Sequence, residues 1–578
     1  MQLQKALTML PAVLDAGVVM GTEANKQVLQ QSDLLTADAQ AARAEDLLIA
    51  VRAESAAAAQ AALDQVDALL ARRAASVASE FRPRSLDSAA QRLPQAQWVL
   101  ISVPGRYAAG VARDALRLNR HVFLYSDNVP LEEEIELKRI AGQCGLLVLG
   151  PDCGTAIING AALGFANRVR RGRIGAIGAS GTGLQAVTVR IHNLGAGISQ
   201  AIGTGTRDLS DAVGGITTRQ ALDALRRDSE TEVIVLVSKP PSPAVAASVL
   251  DAARATGKPI VIDFIGYAAA NERSSNLHFA RTLSDAAEIA TSLVSQSSLI
   301  SPQLAGEGKS GEMRESVSFA PDQRYLRGLY SGGTLAYEAQ LLLRDYLGEV
   351  YSNAPLIANH QLPSPAASPS HTILDLGADE FTVGRLHPML DNDLRIRRLR
   401  QEADDPTVAV ILLDVVLGFG SHPDPAGELA PAIADVLERA RRAGRSLQVI
   451  AVVIGTDEDP QNLASQVQQL SDGGARVEFD HAAAVRHAAE TISSLNPEVR
   501  AQPALKEKRE SERLEIGDWI PVDSAAFTKP FAAINVGLES FYASLKAQDI
   551  PAVHVDWRPP AGGNEKLMAI LERLKSKS

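Results

Sequence analysis

The chain has 578 residues, 46% hydrophobic and 22% charged, with a formal net charge of -11. That length implies about three to five globular domains, and the acidic balance, without a basic arm or stripe, excludes nucleic acid and acidic membranes as partners. Two cysteines, Cys144 and Cys153, are too few for a disulfide framework or a zinc site and point to a reducing cytoplasm; no apolar run reaches spanning length, and the amphipathic start at Met1 lacks the shape of a signal peptide.

Taken in order, the first 80 or so residues hold a helix and two strands, Ala16–Met20 and Asp46–Val51. The alanine-rich stretch Ser55–Ala75 is a strong helix former. Residues 90–155 read β-α-β-α-β, with strands Trp98–Val103, His121–Tyr125 and Gly145–Gly150. A helix begins near Leu131, where Glu132, Glu133 and Glu134 fill the first turn that favours negative charge. Strands alternating with helices predict doubly wound, parallel α/β sheets with right-handed crossovers, and ligands on such sheets sit beyond the carboxyl ends of strands. The outline is residues 1–155, 156–296 and 324–498 as three α/β units, linkers at 297–323 and 499–522 where periodicity is lost, and a small β-α-β tail at 523–578. The tail's Trp557–Gly563 loop suits docking to a partner or is a plain surface loop.

The stretch Arg173–Leu184 organises the middle of the chain. Ile174–Ile177 reads as a strand, Gly178–Gly183 as a glycine-rich turn, and Leu184, Val187, Ile191 and Leu194 as one face of a helix. Bare N–H groups of Ser180, Gly181, Thr182 and Gly183 at a helix start favour a phosphate. The pattern is neither a P-loop nor G-x-G-x-x-G, and a purely structural turn is the competing reading. Tyr330–Leu335 repeats the chemistry with Ser331, Gly332, Gly333 and Thr334, again before an apolar helical face. Each copy is followed by a continuous apolar run, Thr231–Ser238 and Asp405–Asp414, as a doubly buried parallel strand requires. Two similar domains in one chain are expected.

Trp98–Thr155, with Ser126–Asn128 and Gly150–Gly154, resembles the CoA-binding domain of succinyl-CoA synthetase α subunits. Gly178–Gly183 resembles that subunit's serine-glycine loop, and Asp414–Ser421 the β subunit's glycine-rich helix start. Nearly the whole length is similar to the FdrA family, through Met20–Lys26, Tyr125–Asn128, Gly203–Leu209, Ser238–Pro241, Val383–Met389 and Val555–Gly563. One departure is the amino terminus, where the family's extra strand before the first helix has no counterpart. The resemblance implies a Rossmann-like CoA-binding-type domain followed by two flavodoxin-like ligase-type domains. It further implies a cytoplasmic subunit of oxamate carbamoyltransferase in allantoin (purine) breakdown, exchanging oxalurate plus phosphate for oxamate plus carbamoyl phosphate, with two companion subunits. An ADP-forming acyl-CoA synthetase is the alternative, and it alone would need CoA, ATP and Mg. A non-catalytic scaffold is the third.

Synthetases of this kind carry phosphate on a histidine between glycines. The corresponding stretch, Ala268–Thr282, offers only His278, without flanking glycines, which reads as a surface or packing residue. No ATP-grasp module is present either. A carbamoyl phosphate or phosphate site without a metal or other cofactor therefore fits better than an ATP-driven ligase. Gly418, Gly420 and Ser421 offer a third loop, ahead of a helix capped by Asp424. Arg385 and His387 are the catalytic candidates, for phosphate or carbonyl contact; the alternative has Arg385 paired with Asp391 or Asp393. Arg207 and Lys239 are further anion-binding candidates, against internal pairing and plain solvent exposure. Cys153 reads as structural.

Overall fold

The structure, a computed structural model, describes residues 2–70, 82–267, 275–297, 319–495 and 519–560. Most of the two linkers, the end of Ser55–Ala75, residues 268–274 and the last part of the Trp557–Gly563 loop lie outside the described residues.

Two equivalent parallel sheets form the centre. In one, Arg171–Ala179 is flanked on one side by Ile198–Gly203 and on the other by Val233–Ser238, Ile260–Phe264 and Leu277–Phe279. In the other, Tyr325–Tyr330 is flanked by His371–Asp375 and, opposite, by Val408–Val416, Gln448–Ile454 and Arg476–Glu478. The core order is the same, and all these neighbours run parallel. The copies differ at the edges. An antiparallel hairpin, Thr155–Ile158 with Ala161–Gly164, extends the first beyond Ile198–Gly203, and Val350–Ser352 extends the second beyond His371–Asp375. Both serine-glycine loops leave the carboxyl end of the central strand, and the helices Gly181–Asn193 and Gly333–Leu343 follow at once. Leu184, Val187, Ile191, Leu335 and Ala339 are wholly buried. They share one apolar core spanning both units, which fixes the two helices against each other.

A third parallel sheet has the order Ala552–Val555, Ala533–Val536, Trp98–Ile101, His121–Leu124 and Val148–Leu149. The tail thus completes the sheet of residues 90–155 instead of standing apart. Trp98–Ile101 is buried at every position, and an interior parallel strand needs a partner on each side. The amino-terminal segment separates from this sheet. Val13–Met20 pairs antiparallel with Leu47–Ala53, and no other strand among the described residues joins them. Val19, Leu29, Leu34 and Leu48 form a core of their own. Its helix Glu23–Gln31 starts at Thr22, whose side chain accepts from the Asn25 N–H. No helix among the described residues is long and apolar enough to cross a membrane.

Helix Pro425–Arg442 shows how local chemistry fixes an element. Asp424 accepts from the Gly427 N–H at 3.1 Å and from Gln466 Nε2 at 2.7 Å, and proline occupies the first turn, where its missing N–H costs nothing. Asp424→Ala should cost about 1 kcal/mol, read as a lowered midpoint in denaturant unfolding with turnover retained.

Candidate functional site

The two serine-glycine loops meet head to head. Ser180 Oγ accepts from the Gly183 N–H at 2.9 Å and hydrogen-bonds the Thr334 hydroxyl of the other loop. A Cβ added at Gly332 would lie 2.2 Å from Thr182 Cγ2, and one at Gly183 3.0 Å from Thr334 Cγ2. Glycine is needed at these two positions because the loops interlock. Ser180, Thr182, Ser331 and Thr334 are buried, while Gly181 and Gly333 remain partly open. No side chain caps the Gly333–Leu343 helix. Two positive helix ends brought together favour an anion between them.

Charged groups converge on the open side. A Cβ at Gly333 would sit 2.4 Å from Lys239 Nζ and 2.5 Å from Asp375 Oδ2. Lys239 follows the strand Val233–Ser238, lies over the Tyr337 ring at 5.3 Å, and makes no hydrogen bond or ion pair with any described residue. Asp375 ends the strand beside Tyr325–Tyr330; burial raises its carboxyl, against the pull of Lys239. Asp152 comes from the third sheet. Its loop touches the first serine-glycine loop, with Gly154 Cα 3.5 Å from a Cβ placed on Gly181. Asp152 has a left-handed φ of 53°, and its carboxylate accepts from the Thr206 hydroxyl. The side chain is open to solvent but ringed by protein, and that enclosure pushes its carboxyl up to about 6 even with Lys239 nearby. Asp127 is raised in the same way.

His387 joins this constellation. Its Nε2 lies 2.9 Å from where a Gly377 Cβ would be, and the same point is 2.5 Å from the Ser331 carbonyl oxygen. Its Nδ1 accepts from the Met389 N–H at 3.2 Å, so Nε2 carries the proton and is a donor. Burial lowers His387 to about 4, so the ring is neutral near pH 7. It packs tilted against Phe165, with centroids 5.2 Å apart and 35° between the ring planes.

Several sequence candidates lie elsewhere. Arg385 turns to the amino-terminal unit, reaching Asn25 Oδ1 at 3.2 Å and Asp393 at 3.5 Å; it takes the carboxylate pairing. Arg207 is held by Glu134 at 2.9 Å and the Val129 carbonyl at 2.7 Å, within a buried network that includes Lys138 and Asp208. The third glycine loop is a seam between units. The Gly418 N–H goes to Gln461, the Phe419 N–H to the Ala166 carbonyl and the Gly420 N–H to Ser544, leaving Gly418 and Gly420 no donor for phosphate. Ser421 Oγ is buried without a hydrogen-bond partner among the described residues. Ser331 lies in its loop, but its N–H and hydroxyl both serve Asp414, at 2.9 and 2.6 Å. Cys153 is buried against the Thr155 carbonyl, and burial pushes its thiol up to about 12, so it is structural. His278 sits on the edge strand Leu277–Phe279.

Sequence reasoning passed over Asp152, Asp127 and Asp375 as site residues. The available signal was their place at carboxyl ends of strands. Among the described residues one further grouping, His192 with Asp457 and Glu458, has the proximity of a metal site. Yet His192 Nδ1 accepts from the Arg170 N–H at 3.0 Å, so its protonated Nε2 donates to Asp457 at 2.8 Å and has no lone pair for an ion.

Three family models match this chain: a CoA-ligase over residues 329–491, a CoA binding domain over 169–266, and an "AllF, heavy metal-associated domain" over 1–84. The CoA-binding match falls on the first serine-glycine unit, beyond the Trp98–Thr155 segment. The uncharacterized protein YahF of Escherichia coli (strain K12) is 44% identical over 467 residues, covering 80% of this chain and 90% of YahF. The chain belongs to the YahF family. Its ligase modules are those of the succinyl-CoA synthetase fold. Two more distant relatives match about a quarter of the chain. The ADP-forming sulfoacetate-CoA ligase subunit SauD of Bilophila wadsworthia (strain 3_1_6) is 28% identical over 24% of this chain and 49% of that subunit. The ADP-forming succinate–CoA ligase α subunit of Aquifex aeolicus (strain VF5) is 28% identical over 24% of this chain and 47% of its own length. In this YahF-family chain, residues 1–84 hold neither cysteine nor histidine, so that domain has no thiolate or imidazole to offer a heavy metal.

Proposed function

We propose that this chain is a subunit of an oxamate carbamoyltransferase of the FdrA type, working with two companion subunits. The observation that carries the reading is the pair of facing helix starts with the unpaired Lys239 ammonium beside them. That is a seat for inorganic phosphate or carbamoyl phosphate, built from Gly181–Gly183, Gly332–Thr334 and Lys239. A phosphate oxygen attacks the carbamoyl carbon of oxalurate, and the carbon–nitrogen bond to oxamate breaks. The departing nitrogen needs a proton, and Asp152, with its raised carboxyl, is placed to give it. The neutral His387 N–H donates to an oxygen at the site. The AllF label on the matched amino-terminal domain is consistent with allantoin breakdown. The test is phosphate-dependent cleavage of oxalurate by the assembled enzyme; turnover that ignores phosphate would sink the proposal.

A second reading is an ADP-forming acid–thiol ligase, favoured by the two ADP-forming ligase subunits that match part of this chain. It would need CoA, ATP and Mg. At Gly105 a Cβ would strike the Asp127 and Asn128 carbonyls at 2.1 and 2.6 Å, so glycine there serves packing of the chain on itself. CoA-dependent ADP formation without oxalurate cleavage would decide for this reading.

The glycines offer a graded test. Gly181 has ordinary φ, and an added Cβ there meets nothing nearer than 3.5 Å, so Gly181→Ala should leave phosphate affinity within about twofold, a change of under 0.5 kcal/mol. Gly333→Ala, whose methyl would enter the space between Lys239 and Asp375, should weaken it about tenfold, the worth of one anion contact. Phosphate titrations of initial rate read both.

A further inference from the structure

A second anion-binding hollow lies away from the facing loops. The helix Glu23–Gln31 and strand Leu47–Ala53 of the amino-terminal unit face the helices Asp393–Asp404 and Pro425–Arg442 across a cleft of about 510 Å³. Arg52, Arg397, Arg398, Arg400 and Arg439 line it, against Asp15, Asp33 and Asp404. An excess of cations there is notable in a chain of net charge -11.

The arginines are not equivalent. Arg397 is satisfied, with Asp15 at 2.8 Å from two nitrogens and Asp393 at 3.0 Å. Arg398 is satisfied by Glu402, Ser368 and backbone carbonyls. The other three keep unfilled donors. Arg52 has only Asp15 at 3.8 Å, and Arg400 only Asp435 at 3.6 Å, both beyond hydrogen-bond length. Arg439 holds Asp404 through Nη1 and faces Asp435 at 3.5 Å through Nε, while its buried Nη2 has no hydrogen-bond partner among the described residues. A buried guanidinium donor left unmade is costly. Planar guanidinium forks match phosphate geometry. Val28, Phe381 and Leu394 supply an apolar wall.

We propose that this cleft binds a small phosphate-bearing molecule with a planar or apolar body, held at the phosphate by Arg52, Arg400 and Arg439. The occupant would act as an effector, not a substrate. Phe381 precedes Val383 and Gly384, whose carbonyls accept from Asn25 Nδ2 at 3.3 and 3.4 Å. Arg385, next in the chain, returns a bond to Asn25, and His387 follows at the facing loops. A ligand clamping the helix Glu23–Gln31 to Asp393–Asp404 therefore bears on the segment that positions His387.

Calorimetric titration of the full chain with AMP, and separately with inorganic pyrophosphate, tests this without reference to turnover. Saturable AMP binding should persist in Lys239→Met, which removes the cation of the other site. It should weaken about tenfold in Arg400→Gln and further in the Arg52→Gln, Arg400→Gln pair, since each charged contact is worth about one order of magnitude. Both side chains are about half exposed, at 52% and 47%, so the fold is not at stake; matching circular dichroism spectra check that. Tighter binding of AMP than of pyrophosphate is expected from the apolar wall; equal affinity would show that the phosphate alone is recognised and overturn the planar or apolar body. Binding of neither probe, or binding unchanged in the double variant, overturns the proposal.

Discussion

Asp152→Asn should lower turnover of oxalurate about 10²- to 10⁴-fold, the usual contribution of a positioned general acid, and leave phosphate affinity nearly untouched. Asparagine keeps the shape and can still meet the Thr206 hydroxyl, but it has no proton to give. The sign of the pH dependence follows from the raised carboxyl. Asp152 is protonated below about 6 and ionised above, and only the protonated form can supply the departing nitrogen. The wild-type rate should therefore fall as pH rises through about 6, and that limb should vanish in the variant. His387 does not confuse the assignment, because burial holds it to about 4. The raised carboxyl also works against folding. Ionising Asp152 weakens the native state progressively as pH climbs from about 4, the ordinary aspartate range, to about 6, so the variant should lose less stability over that interval. Full turnover with Asn at this position, or an unchanged limb, would remove Asp152 from the chemistry.

Much of the architecture was legible because it rests on local pattern. Within Thr231–Ser238 and Asp405–Asp414, residues 233–237 and 408–413 are apolar without interruption, and they lie in the buried parallel strands Val233–Ser238 and Val408–Val416, each beside a loop-bearing strand. The repeat of serine-glycine turns carried the equivalence of the two central sheets. What escaped depended on contacts distant in sequence. The tail reads as β-α-β, but nothing local says that its strand Ala533–Val536 pairs with Trp98–Ile101. The same limit applies to the site. The sequence marks Gly181–Gly183 and Gly332–Thr334 as separate anion seats, and only the packing of Thr182 against Gly332 makes them one. Gly418–Ser421 resembles a phosphate loop in composition, yet its amides are consumed by Gln461, Ala166 and Ser544. Arg385 sits in a polar, glycine-containing loop as a catalytic arginine would, and its partners are Asp393 and Asn25, the latter from another unit. Composition tells which groups can bind an anion. Whether they are free to do so depends on the rest of the fold.

Lys239 is the residue for which that freedom is clearest, and Lys239→Met should raise the phosphate concentration needed for half-maximal rate about 10- to 100-fold. The range follows from the loss of one charge-assisted contact, about 1.5–3 kcal/mol. Methionine fills similar volume and can keep the stem's packing against Tyr337, so the change removes charge without opening a hole. No described carboxylate depends on Lys239 as an ion-pair partner within hydrogen-bond reach, which is why the fold should survive. Its loss should nevertheless register on its neighbours: Lys239 holds down the carboxyls of Asp152 and Asp375. Without it both should titrate higher, and the falling limb of the pH profile should move to higher pH. That shift separates an electrostatic role from a merely structural one. The predicted pattern is weaker phosphate binding, near-normal oxalurate affinity and a displaced limb. Adding salt should narrow the gap between the two proteins, because screening weakens the wild-type ammonium's attraction for phosphate. An unchanged phosphate dependence in a correctly assembled Lys239→Met enzyme would mean that the facing helix starts do not hold the reacting phosphate.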